Sequence, residues 1–161
     1  MQRNTRCGMV LTLTLLAIYL GGCVPQSQKF MVIASGAPAV GPQQGRVFTL
    51  ALRSAVGGQA IAIVGPEEAA KVLDLVNQDK GLGLYFYIYG GEQPSAGYSV
   101  QVRGIVYTYG DGRGKYTVRW TLRAPAKDQA AATVLTHPYI LVRITNRSVP
   151  VENVVFEQVN E

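Results

Sequence analysis

The run Leu84-Tyr85-Phe86-Tyr87-Ile88-Tyr89 is short and apolar on both of its faces. A strand of that kind belongs in the middle of a sheet, with both faces covered. One cover is supplied just upstream. Pro66 suits a first helical turn, and Glu67 and Glu68 suit the positive end of the helix dipole. Ala69, Val72, Leu73 and Val76 follow helical spacing, and Lys80 with Gly81 closes the helix. Downstream, residues 98–109 read as a long strand whose apolar phase changes at Gly104, which predicts a bulge. The glycine-rich stretch Gly110-Asp111-Gly112-Arg113-Gly114 reads as a hairpin turn. Beyond it Tyr116, Val118, Trp120 and Leu122 alternate inward, against Lys115, Thr117, Arg119, Thr121 and Arg123 outward. Further strands are expected at 46–52, 59–64, 139–145 and 154–159, with Gly57-Gly58 as a hairpin between the first two. The expected fold is α+β: a mainly antiparallel sheet of about six to eight strands with one helix, about 66–80.

The N-terminus carries a different kind of signal. Arg3 and Arg6 precede an apolar stretch that ends in Leu20-Gly21-Gly22-Cys23. The stretch is roughly 13 residues, short of the ~20 a spanning helix needs, and its order matches a secretory signal. Leu-Gly-Gly-Cys resembles the lipobox of bacterial lipoproteins. That resemblance implies cleavage before Cys23, lipidation of its thiol and acylation of the new amine. Residues 1–22 are then the signal peptide, 23–45 a flexible tether rich in Pro, Gly and Gln, and 46–161 the globular domain. Within the tether, Phe30-Met31-Val32-Ile33-Ala34 reads as a short edge strand. The 22 residues from 24 to 45 would reach roughly 70 Å if extended. Val24 lacks the acidic residue associated with inner-membrane retention, so the expected location is the cell envelope, at the outer membrane where the cell has one.

Composition narrows the chemistry. The net charge of +5 falls to +3 once Arg3 and Arg6 leave with the signal. The cations are scattered, so nucleic acid is not an expected partner. Of the two cysteines, Cys7 leaves with the signal and Cys23 is the lipidation site. The folded part therefore has no disulfide and no cysteine metal site. The single histidine, His137, has no nucleophile-elbow pattern around Ser95 or Ser99 and too few companions for a metal site. No catalytic residue, metal or cofactor is expected beyond the covalent lipid. Eight tyrosines fall in strand-like positions, and Tyr85, Tyr87 and Tyr89 share a face. They suit either an interface or cross-strand packing, and packing is the preferred reading.

Gly97-Tyr98-Ser99-Val100-Gln101-Val102, the lone Pro125 and the run from Ala132 through Pro138-Tyr139 to Ile144 resemble the PrcB C-terminal domain over about 84–145. The family's name implies an accessory subunit of a surface protease complex. Two departures from its pattern are Ala96, where a glycine is expected, and the single proline at 125. A second, partial resemblance links Gln93-Pro94-Ser95-Ala96-Gly97-Tyr98, the 110–114 turn and Arg123-Ala124-Pro125 to chagasin-type protease inhibitors. Three readings follow: a lipid-anchored protein-binding domain associated with a surface protease, a loop-based inhibitor, or a structural envelope lipoprotein. The candidate binding residues are Pro94, Gly97, Tyr98, Asp111, Arg119 and Thr121.

Overall fold

The computed structural model describes residues 25–41, 46–54, 66–110, 112–126, 132–145 and 153–160. In chain order the elements are β1 (Gln26–Gln28), β2 (Met31–Gly36), β3 (Phe48–Ser54), α1 (Pro66–Asp79), β4 (Gly83–Tyr89), β5 (Ser99–Gly110), β6 (Arg113–Arg123), β7 (Tyr139–Ile144) and β8 (Val154–Gln158). They form two four-stranded sheets, ordered β1-β5-β6-β8 and β2-β7-β4-β3. The α+β class holds, with two packed sheets in place of one. The pairing is antiparallel except between β6 and β8.

β4 holds the layers together, and its whole length is buried. Its two faces point into different cores, because strand side chains alternate. Leu84, Phe86 and Ile88 meet Val100, Ile105, Tyr116, Val118 and Trp120 from the other sheet. Tyr85, Tyr87 and Tyr89 face the other way, with Leu50, Leu52 and Leu141, under Val72 and Val76 of α1. The tyrosines are therefore packing residues. Burial pushes the hydroxyl pKa of all three upward.

The helix lies where its periodicity predicts, but its closure differs. Lys80, not Gly81, takes the left-handed conformation, at φ 52°. Glycine at 81 leaves room for another group: a Cβ there would meet the Arg143 guanidinium, which would have to shift from its place beside Asp79. Arg143 of β7 donates to Asp79 at 2.5 Å, and the Tyr85 hydroxyl reaches the same carboxylate oxygen at 2.6 Å. An acid at the negative end of a helix is unfavourable alone. Here the cation from β7 neutralises it and ties the helix end to the sheet.

The expected tether is corrected over part of its length. β1 pairs with β5 and β2 pairs with β7, so residues 26–36 belong to the folded part along with those from residue 46 onward. Phe30, packed against the inter-sheet core, holds the crossing between them. An apolar residue at that crossing gains more from burial than a solvated linker would. β2 is the edge strand that its apolar island predicts. The bulge in β5 falls between Val102 and Gly104. The signal, Cys23, the 59–64 strand and the Gly57-Gly58 hairpin lie outside the described residues. Among the described residues no helix is long and apolar enough to cross a membrane.

Candidate functional site

The β5–β6 hairpin organises the candidate residues. Ser99 pairs with Arg123 at one end and Gly110 with Arg113 at the other. Twelve residues of β5 separate these ends, about 40 Å at 3.4 Å per residue.

The Ser99–Arg123 end is a tip built from three segments. Residues 90–98 join β4 to β5, residues 124–126 follow β6, and residues 132–138 lead into β7. Gln93 and Thr136 exchange two backbone hydrogen bonds, of 2.8 and 2.9 Å. Ala96 N–H donates to the Ala132 carbonyl, and Gly90 N–H to that of Pro138. The Thr136 hydroxyl donates to the Ser95 carbonyl at 2.9 Å. These bonds satisfy several main-chain groups within the tip. Pro94 is exposed, and Val134 and Leu135 are 49% and 53% exposed.

Gly97 has φ 96°, and a Cβ there would lie 2.8 Å from the Pro125 Cβ. That contact locks the second segment onto the first. Tyr98 is half-buried beside it. Beneath the tip, Tyr89 and His137 share a hydrogen bond of 2.6 Å between the hydroxyl and Nδ1, with their rings stacked. His137 N–H donates to the Pro38 carbonyl, so the strap after β2 is fastened to the same place. Burial, and after it the charge of Glu92, raise the Tyr89 pKa.

Of the predicted binding residues, Pro94, Gly97 and Tyr98 gather in this tip, and Arg119 and Thr121 do not. Arg119 is exposed near the middle of β6 and pairs with Glu157 of β8 at 3.2 Å. Thr121 is buried, at 2% exposure, where strict alternation places it outside. Leu122, predicted inward, is half-buried. The structure corrects the reading of Thr121 as a surface contact: Glu introduced there would place a charge in a closed site, not probe a face. Asp111 lies outside the described residues. Residues 93–97 and the 110–113 turn stand at opposite ends of β5, so they do not form a single wedge.

Sequence reasoning missed Val134 and Leu135 as exposed apolar neighbours, because they sat in a run read as leading into a strand. It also missed the Asp79–Arg143–Tyr85 network, for which the acid at the helix C-terminus was the available signal. Among the described residues no group of three or more His, Cys, Asp or Glu is placed to hold a metal ion.

Among the described residues the fold is two packed sheets with one covering helix, and one end of it is a tip built from loops. Residues 84–145 match the family model described as PrcB C-terminal, which spans β4 through β7 and all three segments of the tip. The resemblance read from the sequence therefore holds over that stretch. No curated protein and no solved structure matches the chain.

Proposed function

We propose that this protein is a lipid-anchored, non-catalytic subunit of a cell-envelope protease complex, and that the tip holds its protein partner. The carrying observation is the exposure of Val134, Leu135 and Pro94 on a frame pinned by backbone hydrogen bonds between its first and third segments. Such a frame loses little freedom on binding, so burying its apolar side chains translates into affinity. The PrcB C-terminal match over the same segments supports a protease-complex partner. The separation of the 93–97 and 110–113 loops argues against an inhibitor that inserts several loops into one cleft.

The test is site-specific photo-cross-linking in intact envelopes, with the photoreactive residue at Leu135 and, separately, at Arg119. The reading expects Leu135 to capture a protease subunit and Arg119 to capture little. Capture from Arg119 alone would move the interface to the sheet face. Capture of structural envelope proteins alone, from either position, would favour a structural lipoprotein.

A further inference from the structure

β1 begins three residues after Cys23, which allows at most about 10 Å of extended chain between the thiol-bearing residue and the sheet. Gln26 pairs with Tyr107 on β5, so the chain enters the domain beside the hairpin end and away from the tip. At that end Tyr109 is 57% exposed, and Arg113 and Lys115 are exposed. Arg113 and Lys115 are opposite Gly110 and Thr108 on one face, beside a depression of about 470 Å³ that Asn153 and Val155 complete. Glu157, further along the same face, is held by Arg119.

We propose that this end of the first sheet lies on an anionic phospholipid surface, with Tyr109 at headgroup level and Arg113 and Lys115 against lipid phosphates. The proposal rests on the reading of Cys23 as the lipidated residue. Two observations carry it independently of each other: the short covalent reach and the chemistry of the end it reaches. Tyrosine is favoured at the membrane interface. Each cation near an anionic leaflet adds about fivefold to the docked population. A lipid at Cys23 with no rigid entry would let the domain tumble. A lipid three residues from a paired strand restricts which end meets the membrane. The tip then points outward, about 40 Å from the surface along β5, where a partner in the aqueous phase can reach it.

The test uses the lipidated protein reconstituted in vesicles. With Cys7 removed in the signal and Cys23 capped by lipid, a new cysteine is a unique labelling site. One variant carries the label at Tyr109→Cys and another at Pro94→Cys, each read by quenching from headgroup spin-labelled lipid. Phosphatidylglycerol vesicles are compared with phosphatidylcholine vesicles. In phosphatidylglycerol the label at 109 is expected to be quenched and the label at 94 not. Adding Arg113→Glu with Lys115→Glu is expected to cut the docked population about tenfold or more, with Trp120 emission unchanged to show an intact fold. Quenching at neither position, or stronger at 94, overturns the orientation. Equal quenching in the two lipids overturns the role given to Arg113 and Lys115. Mass spectrometry of the N-terminal peptide separates the two levels: absence of lipid on Cys23 sinks the anchor reading and this proposal with it. Lipid present without quenching at 109 sinks this proposal alone.

Discussion

At one end of the β5–β6 hairpin the chain turns back at once, and among the described residues it exposes a tyrosine, Tyr109, and two cations, Arg113 and Lys115. At the other end two segments, 43 residues apart at the Gln93–Thr136 pairing, are joined through their backbones, Pro125 of a third segment packs close to Gly97, and the apolar side chains of Val134 and Leu135 are exposed. The first end is built around a hairpin of two strands adjacent in sequence. The second exists only after β4, β5, β6 and β7 have assembled. The two ends store specificity in different ways. A turn with cations suits a partner without fixed shape, such as a lipid surface. A backbone-locked tip suits a partner of fixed shape, because its side chains are already positioned.

The largest expected effect removes the support that both ends share. Trp120, at 3% exposure, lies in the core between the sheets, and Trp120→Ala is expected to cost about 3–5 kcal/mol in denaturant unfolding. Its emission in the native wild type should be that of a buried indole. A water-like maximum would refute the inter-sheet core.

Next in size is a change confined to the tip. Gly97→Ala must hold φ 96° and push Pro125 away, so it is expected to cost roughly 1–2 kcal/mol and to weaken partner binding. Membrane docking should be untouched. Equal loss at both functions would mean that the ends are not independent.

A pH scan tests the layer beneath the tip. Burial, with Tyr139 and Tyr89 as lesser causes, raises the Tyr87 hydroxyl pKa well above its ordinary value of 10.0. A raised folded-state value contributes stability that is complete below pH 10 and is lost as pH rises toward the folded value. Unfolding free energy should therefore fall above pH 10 by about 1.4 kcal/mol per pH unit for this tyrosine. A flat profile to pH 12 in thermal melts would contradict its burial as a neutral group. Tyr85 and Tyr89 are shifted in the same direction and steepen the fall.

The smallest effect on stability should be the largest on recognition. Val134→Asp with Leu135→Asp changes exposed positions, so stability should move by no more than about 0.5 kcal/mol. Partner affinity should drop about tenfold or more if these side chains form the contact. Unchanged affinity would remove the tip from the interface and leave the sheet face as its site.

The sequence by itself determined the elements and most of their inward faces. Apolar runs at periods of 2 and 3.6 specify which residues must leave water, whatever they pack against. That is why β4, β5, β6, β7, β8 and α1, and the bulge before Gly104, were legible. It also drew attention to Gly97 and Tyr98, whose residue types are tied to backbone shape. The tertiary structure alone decided the rest. Periodicity does not say how many sheets share a core, so one predicted sheet became two. Edge pairing depends on a distant partner, so β1 looked like tether and the edge strand β2 like an island within it. Exposure depends on neighbours in space, so Thr121 is buried and Leu135 is not. The placement of Asp79 beside Arg143 has the same origin: the two are 64 residues apart in sequence, and only the packing of α1 against β7 brings their charges together.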